Sequence, residues 1–408
     1  MKTAISKNLC PICGFDQAGN LLDLDCGNWD HSTLYPSVKI VVCRKCGHVF
    51  NKLTSAEAVG LAGYYNREYA PSNLDSADDI GDRPGSCNVL TRNRYDQLWR
   101  FIAPYLKDYS QILDVGCAGG GFLNFLRQKG FSNLFGIDPT KKYLHHAKKK
   151  NGGQIKLGSA ESIPFEDRTM NILVLDQVVE HLVDPRRVFQ EAKRVLTDEG
   201  LLCISVPDAF RYGQKYFFDF FWFLVREHIQ HFDLEHLKLA AALEGFKPLA
   251  EAKSELPMVS EKMILPVMNV LFRFTKAALR LAVNPSHFKL KTRLVGLITE
   301  DKKRLDQKRR AINCLVGSRR PVYAWGIGRE FLYFYEVVGL KKCNLAGLID
   351  LNLFKQKKIT VGGRKIVGPS VLKKAAPDSV LVISAVAHAR SIKQEVRKMG
   401  YRGQILNI

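Results

Sequence analysis

The stretch QILDVGCAGGGFLNFLRQKG, residues 111–130, has the pattern of a strand, a glycine-rich loop and a helix. Apolar residues from Ile112 to Val115 are followed by four glycines and then by an amphipathic segment. Glycines let a ligand approach the backbone closely, and the amides at a helix N-terminus point toward it. A second apolar run ends at Asp138, 22 residues after Gly116, the spacing at which an acid meets ribose hydroxyls. The stretch therefore predicts a nucleoside-binding βαβ unit.

The kind of nucleoside follows from Asp114, which stands two residues before the first glycine. A carboxylate there would repel a pyrophosphate, but it can accept a hydrogen bond from an ammonium group. This chemistry suits S-adenosylmethionine, whose amino-acid end is cationic. The pattern LDVGCAGGGF resembles motif I of the class I S-adenosylmethionine-dependent methyltransferases, with alanine where that family has its middle glycine. The resemblance implies cofactor contacts at Asp114, Gly116, Ala118, Gly120 and Asp138.

The resemblance to these methyltransferases continues through residues 158–207, which match the family's third to fifth strands in order. It implies that Ser159 and Ala160 lie at the adenine. It also implies that Asp176 and Gln177 end the fourth strand, where the methionine end of the cofactor meets the acceptor.

Two cysteine pairs near the N-terminus have the spacing of metal ligands, in CPICG and CRKCGHVF. Two such knuckles complete a tetrahedral zinc site, and a shell of four thiolates is closed, which favours a structural ion. Disulfides are the alternative, but a cytosolic chain disfavours them. Cys26 and His48 are substitutes if one assigned ligand is wrong. The predicted zinc ligands are Cys10, Cys13, Cys43 and Cys46.

These features together resemble the three-domain sugar C-methyltransferases, which act on nucleotide-linked deoxy-ketosugars. The resemblance implies an α/β chain whose Rossmann-like class I methyltransferase domain spans residues 76–255. A zinc-binding module with a tyrosine-rich connector precedes it at 1–75. A basic helical linker or insertion follows at 256–320, and a second Rossmann-like domain spans 321–408.

The segment VREHIQHFD, residues 225–233, leads into a helix that Asp233 is expected to cap. In the sugar C-methyltransferases a Tyr-His-Glu-His segment stands here, and its last histidine is implicated in removing the proton next to the ketone. Only the Glu-His half is retained, so the resemblance implies catalytic roles for Glu227 and His228 but supplies no tyrosine. It also implies a role for His181, which matches a histidine after the family's fourth strand.

Histidine suits a base that works near neutral pH, for carbon or for oxygen methylation. The alternative for His228 is a structural loop residue bonded to the backbone. A metal cluster of His228, His231 and His236 is disfavoured, because their spacing does not converge on one ion.

Three phenols cluster in GYYNREY, ahead of a segment rich in Asn, Asp, Ser, Pro and Gly. That composition predicts a connector or lid over residues 66–86. The segment is expected either to fold over a substrate or to pack the zinc module against the next domain. The candidate substrate contacts are Tyr64, Tyr65 and Tyr69.

The net charge of +21 lies in one part of the chain, because residues 256–408 carry 30 basic and 9 acidic side chains. This excess indicates either an anionic partner or a solvated basic face. Nucleic acid is not expected, because no nucleic-acid-binding motif accompanies the charge. Residues 256–293 fit a basic amphipathic helix on an anionic membrane face, or an insertion that covers the active site.

The C-terminal segment repeats the pattern of strand, glycine turn and helix at Gly326 and Gly328, with Asp350 ending the next strand. A third glycine is missing, which argues against a full dinucleotide. By the resemblance this domain helps to bind the nucleotide-sugar, and the alternative is a scaffold. The chain has no signal segment and no apolar run of about 18 residues, so we expect a cytoplasmic protein, with peripheral contact at the inner membrane face as an option.

The sequence thus predicts an S-adenosylmethionine-dependent methyltransferase with structural Zn²⁺ that acts on a nucleotide-activated sugar, at carbon or oxygen, in surface-glycan or natural-product biosynthesis. One alternative is an O-methyltransferase for a finished or lipid-linked glycan at the membrane surface. Another is a non-catalytic cofactor-binding adaptor.

Overall fold

The computed structural model describes residues 9–27, 29–30, 32–69, 83–151, 154–214, 218–257, 264–275, 285–385 and 388–408. They divide into two compact units. The first contains the described residues of Met1–Asp23, Val38–Lys215 and Val225–Gly296, and the second those of Leu24–Ser37, Tyr216–Leu224 and Leu297–Ile408. Most of the predicted connector, residues 70–82, lies outside the described residues, as do two parts of the basic segment, 258–263 and 276–284.

A small sheet follows the first cysteine pair. Its first three strands are β1 (Ala18–Asp25), β2 (Ser37–Cys43) and β3 (Val49–Asn51). Cys43 ends β2 and Cys46 lies in the turn to β3, so this turn brings the second pair of cysteines together. Helix α1 (Ser55–Tyr64) begins at a capping box, in which the Thr54 side chain accepts from the Glu57 amide and Glu57 accepts from Thr54. A π-helical turn, Tyr65–Tyr69, continues it.

The central sheet is built from strands that alternate with helices. The elements are α2 (Val89–Ile102), β4 (Ile112–Val115), α3 (Gly121–Gln128), β5 (Leu134–Asp138), α4 (Lys141–Asn151), β6 (Ile155–Leu157), β7 (Met170–Asp176), α5 (Arg186–Val195) and β8 (Leu196–Pro207). The predicted strand, glycine loop and helix of residues 111–130 are confirmed as β4, the loop at Gly116–Gly120 and α3.

The segment that follows β8 returns to both sheets. It contains α6 (Phe221–Leu224), β9 (Gln230–His231), α7 (Leu234–Leu243), β10 (Phe246–Pro257) and β11 (Ile264–Phe274). Strand β9 pairs with β3, so that His231 lies opposite Val49. The predicted cap of α7 is confirmed, because the Asp233 side chain accepts from the His236 amide at 2.9 Å. The helix stops before Gly245, whose φ is +85°.

The central sheet has the order β10-β11-β8-β7-β4-β5-β6. Strands β4 to β8 are parallel, whereas β11 pairs antiparallel with both β8 and β10. The chain runs outward from β4 to β5 and β6 on one side and continues at β7 on the other. A ligand of such a sheet lies at the carboxyl ends of the strands where the order reverses, here β4 and β7.

The segment 256–320, predicted as a basic helical linker or insertion, is not helical at Ile264–Phe274, which forms β11 in the central sheet. This strand has neighbours on both edges, so nearly all its side chains are buried and its sequence shows no period of two. A continuous apolar run of this kind does not distinguish a buried strand from a helix. Farther along the same segment, Lys289–Ser318 forms a helix, α8.

The last part of the chain forms a second sheet, which is parallel except at β14. Its elements are β12 (Val322–Trp325), α9 (Arg329–Tyr333), β13 (Leu345–Ile349), α10 (Leu353–Lys358), β14 (Thr360–Val361), β15 (Arg364–Val367), β16 (Val380–Ile383), α11 (Ala389–Lys398) and β17 (Gln404–Asn407). The strand order is β14-β15-β13-β12-β16-β17. This sheet also reverses direction at its first strand, because β12 lies between β13 and β16. Within the described residues, no helix has the length and apolarity needed to span a membrane.

Candidate active site

The glycine loop is held by Asp138 at the end of β5. One carboxylate oxygen accepts from the Ala118 amide at 3.0 Å, and the other accepts from the Thr140 amide at 2.8 Å. Ala118 has a φ of +43°, a left-handed conformation that this hydrogen bond helps to hold. Gly116 has a φ of +82°, and a Cβ there would come within 2.6 Å of Val178. The loop therefore depends on glycine at 116.

Asp114 lies on β4 and is buried. Burial raises the pKa of its carboxyl group to about 8, and the nearby carboxylate of Asp176 adds to the rise, whereas Arg94 opposes it. A carboxyl group with this pKa is mostly protonated at neutral pH until a cation comes beside it.

Arg94 on α2 forms a buried ion pair with Asp176, with 3.2 Å between Nη1 and Oδ2. Our sequence interpretation did not include this arginine. The signal was present, because Arg94 shares the buried face of α2 with Tyr95, Leu98 and Ile102, where a charged residue is expensive unless it is paired.

Ser159 and Ala160 follow β6, which pairs with β5 so that Leu157 lies opposite Asp138. They therefore follow the end of β6 next to the end of β5, where the Gly158 amide donates to the Asp138 carbonyl at 3.3 Å. Gln177 follows Asp176 with a φ of +58°, and its amide donates to the Ser205 carbonyl at 2.8 Å. A non-glycine residue in this conformation is strained, and such residues cluster at functional sites.

His181 lies in a short turn just after β7. Its Nδ1 is 3.0 Å from the Glu227 carbonyl oxygen and 2.9 Å from the Tyr65 hydroxyl. Burial lowers the pKa of His181, so its imidazole is neutral at pH 7. The ring of His228 contacts that of His181 edge-on, with 4.8 Å between centroids. The structure thus brings together the two histidines predicted to be catalytic.

The neighbouring Glu227 is buried and accepts a hydrogen bond of 3.0 Å from the Tyr64 hydroxyl. The rings of Tyr64, Tyr65 and Tyr69 contact one another at centroid distances of 5.3 to 6.1 Å. Tyr69 also packs against the small cluster that Ala118 of the glycine loop forms with Tyr143. The tyrosine cluster therefore reaches both the histidine pair and the cofactor loop.

Glu180 is a further buried carboxylate that our sequence interpretation missed. Its side chain is 1% exposed and lies 3.9 Å from His181 Nε2. Burial raises the pKa of Glu180 to about 8. Its backbone carbonyl accepts from the Ile229 amide at 2.8 Å, which attaches the Glu227–His228 segment to the turn after β7.

His231 and His236, the other two histidines of the disfavoured metal cluster, have different partners. His231 Nε2 lies 3.1 Å from the Asn51 side-chain oxygen. His236 Nδ1 lies 2.6 Å from an Asp233 carboxylate oxygen, and its Nε2 lies 2.9 Å from the Cys46 carbonyl oxygen.

The four predicted zinc ligands, Cys10, Cys13, Cys43 and Cys46, converge, with their sulfur atoms all within 4.8 Å of one another. The Cys10–Cys46 and Cys13–Cys43 sulfur separations are 3.7 and 3.6 Å. A tetrahedral zinc ion with Zn–S bonds of about 2.3 Å would place its sulfurs about 3.8 Å apart. The donor set and its spacing therefore fit zinc. His48 is not part of this group, because its Nε2 lies 2.8 Å from Gln230.

In the C-terminal sheet, Asp350 repeats the arrangement of Asp138, in which one carboxylate accepts from two backbone amides. Its carboxylate accepts from the Ile327 amide at 2.9 Å and from the Asn352 amide at 3.0 Å. Here, however, Lys355 Nζ donates to the same carboxylate at 2.9 Å and to the Ile327 carbonyl at 2.8 Å. The acid is thus already paired with a cation of its own domain.

Comparison with known families shows which family the central domain resembles. Residues 90–251 match the family described as methyltransferase domain. The α/β Rossmann-like sheet agrees with this match, so this part of the chain is a class I S-adenosylmethionine-dependent methyltransferase domain.

Individual curated proteins match about a quarter of the chain. An uncharacterized methyltransferase of Schizosaccharomyces pombe is 31% identical over 124 residues, which are 26% of this chain and 44% of that protein. The ubiquinone/menaquinone biosynthesis C-methyltransferase of Campylobacter jejuni is 30% identical over 113 residues, 26% of this chain and 48% of that protein. The chain thus spans less than half the length of these curated relatives. A solved protein of Pyrococcus horikoshii, 20% identical, covers 51% of this chain and 99% of its own, with a TM-score of 0.39.

Proposed function

We propose that the protein transfers a methyl group from S-adenosylmethionine to a nucleotide-activated sugar. The observation that carries this proposal is the contact between His181 and His228 at the end of β7, beside the cofactor loop. A histidine pair with a buried glutamate neighbour, at the carboxyl end of a sheet that binds the methyl donor, is suited to deprotonating an acceptor.

The charges at the carboxyl ends of β4 and β7 suit the amino-acid end of the cofactor. Asp114 and Asp176 offer carboxylates to its ammonium group, and Arg94 offers a guanidinium to its carboxylate. Asp138 would bind the ribose, and Ser159 and Ala160 would lie at the adenine. When bound, the cofactor supplies a methyl group on a sulfonium sulfur, which becomes a neutral thioether as the methyl group leaves.

His228 would take the proton that the acceptor loses, from a hydroxyl group or from the carbon beside a ketone. Glu227 and Tyr64 would hold the segment that carries this base. Valine at 225, where the sugar C-methyltransferases have tyrosine, leaves both carbon and oxygen acceptors compatible with the site.

The cysteine site would hold a structural zinc ion. From the N-terminal side, this site would support the acceptor segment, by which we mean the Glu227–His228 segment and the start of α7. Two contacts make this link: His236 Nε2 with the Cys46 carbonyl at 2.9 Å, and Asn51 Nδ2 with the His228 carbonyl at 3.1 Å. A closed shell of four thiolates leaves no position for catalysis.

The proposal that the acceptor carries a nucleotide rests on the positive charge of the C-terminal part of the chain. The excess of basic side chains lies in residues 256–408, and phosphates are natural partners for such a surface. The same charge suits contact with an anionic membrane face, which would place a glycan acceptor there.

The test begins with calorimetry of S-adenosylmethionine binding to the full chain. Deuterated-methyl transfer to nucleoside-diphosphate sugars, with and without a keto group, is then followed by mass spectrometry. We expect His228→Gln to abolish transfer and to leave cofactor affinity unchanged, and the exposed-histidine variant His145→Gln to behave as wild type. Absence of cofactor binding at millimolar concentration would favour the adaptor alternative and overturn the enzyme proposal.

A further inference from the structure

Three side chains beside the tyrosine cluster converge like ligands of one metal ion. Glu180, His181 and His228 each offer one donor atom, and these atoms lie within 4.8 Å of one another. The set is separate from the four cysteines. It combines residues that follow β7 with a residue of the loop before β9.

Glu180 supplies an independent indication that a ligand belongs here. Its side chain is 99% buried, and neither carboxylate oxygen has a hydrogen-bond partner in the part of the chain that the structure describes. A buried carboxylate without a partner is costly, and such groups are normally paired or bound to a metal.

The hydrogen bonds of His181 direct a lone pair toward the same place. When its Nδ1 carries the hydrogen, this N–H can donate to the Glu227 carbonyl oxygen at 3.0 Å and to the Tyr65 hydroxyl oxygen at 2.9 Å. In this tautomer the bare Nε2 faces Glu180 Oε1, at 3.9 Å. This distance is too long for a hydrogen bond between the two atoms. A histidine whose other nitrogen donates to a backbone carbonyl is the usual arrangement of a metal ligand.

We infer that Glu180, His181 and His228 bind one divalent transition-metal ion. Two imidazoles and one carboxylate favour manganese, iron, cobalt, nickel or zinc over magnesium or calcium. Two ligands bonded at about 2.1 Å are at most about 4.2 Å apart, and the donor atoms here lie within 4.8 Å of one another, so the widest separation closes by at most about 0.6 Å to reach that limit. The His228 side chain is half-buried, so we expect it to make this adjustment.

Three protein ligands leave coordination positions open for an acceptor. The role of the ion, unlike its binding, rests on the proposed function. A bound metal lowers the pKa of an oxygen ligand, so an acceptor hydroxyl or enolate oxygen would be held and activated at this site. His228 then acts as a ligand rather than as the free base.

Manganese is the probe, because Mn²⁺ prefers oxygen and nitrogen ligands and competes poorly for thiolates. Purified full-length protein that retains its zinc is titrated with Mn²⁺, and the loss of the free-ion signal is followed by electron paramagnetic resonance. We expect one Mn²⁺ per chain. Glu180→Gln and His228→Gln should each weaken its binding by at least about tenfold.

Matched controls are His145→Gln, an exposed histidine on α4, and Glu199→Gln, whose side chain is 84% exposed. Both should bind Mn²⁺ as wild type does, and circular dichroism confirms that every variant is folded. Equal affinity in wild type and Glu180→Gln, or no binding at millimolar Mn²⁺ or Zn²⁺, would overturn the inference. A protein that binds S-adenosylmethionine but no Mn²⁺ would contradict the metal site alone, and the reverse result would contradict the proposed function alone.

Discussion

The Tyr64 hydroxyl donates a hydrogen bond of 3.0 Å to the carboxylate of Glu227, a residue 163 positions later in the chain. Tyr64 ends α1, directly after the small cysteine-bearing sheet, whereas Glu227 precedes β9. The N-terminal module therefore supplies a buried partner to the acceptor segment. The module is thus part of the candidate active site.

Replacing Tyr64 with phenylalanine tests this relationship. The ring packing is kept while Glu227 loses its donor, so we expect kcat to fall about tenfold or more and cofactor affinity to stay unchanged. Steady-state kinetics and calorimetry measure the two quantities. Tyr109→Phe, at an exposed position, is the control. Equal losses of kcat and cofactor affinity would indicate a general loss of structure instead.

Asp114→Asn should change how stability depends on pH. The pKa of Asp114 is about 8 in the folded protein and near 3.8 without burial, so the folded state binds the extra proton between these values. Its contribution is fully present below pH 3.8 and is lost as the pH rises toward 8. Wild type without cofactor should therefore lose stability over this range, and the amide variant should lose less.

Urea unfolding at about pH 5 and about pH 8.5 measures the difference between the two proteins. If the free energies of unfolding of wild type and variant changed equally between the two pH values, this would contradict the buried, protonated state of Asp114. A related expectation concerns the cofactor, because its ammonium group favours the ionised carboxylate. Binding at neutral pH should then release a proton, which calorimetry in buffers of different ionisation enthalpy detects.

Arg94→Met should weaken cofactor binding. The guanidinium is the proposed partner of the cofactor carboxylate, and charge-assisted hydrogen bonds contribute about 1.5–3 kcal/mol, so a loss of about tenfold to a hundredfold is expected. Arg92→Met, on the exposed side of the same helix, is the matched control. Unchanged affinity in Arg94→Met would show that the arginine does not bind the cofactor carboxylate.

Cys43→Ser should remove one zinc ion per chain and lower the melting temperature, because binding to a four-cysteine site contributes directly to folding. Elemental analysis and thermal unfolding measure the two effects. Cys314→Ser, at an exposed cysteine on α8, should change neither. An unchanged metal content in Cys43→Ser would show that the four sulfurs do not hold the ion.

Several features were predictable because they depend on spacing along the chain. The glycine loop after β4 and the Asp233 cap are local patterns of this kind. The strand at Ile264–Phe274 was missed for a physical reason, since burial on both faces removes the alternation that identifies a strand. Arg94 and Glu180 were missed because neither belongs to a motif with fixed spacing.

The sequence by itself determined the methyltransferase sheet, the acid that holds its loop and the two cysteine pairs, because short-range geometry follows from residue order. Only the tertiary structure decided which of the histidines act together. His181 and His228 meet because the segment before β9 pairs with both β3 and the turn after β7. Contacts between distant segments depend on how buried surfaces pack, and residue spacing does not encode that packing.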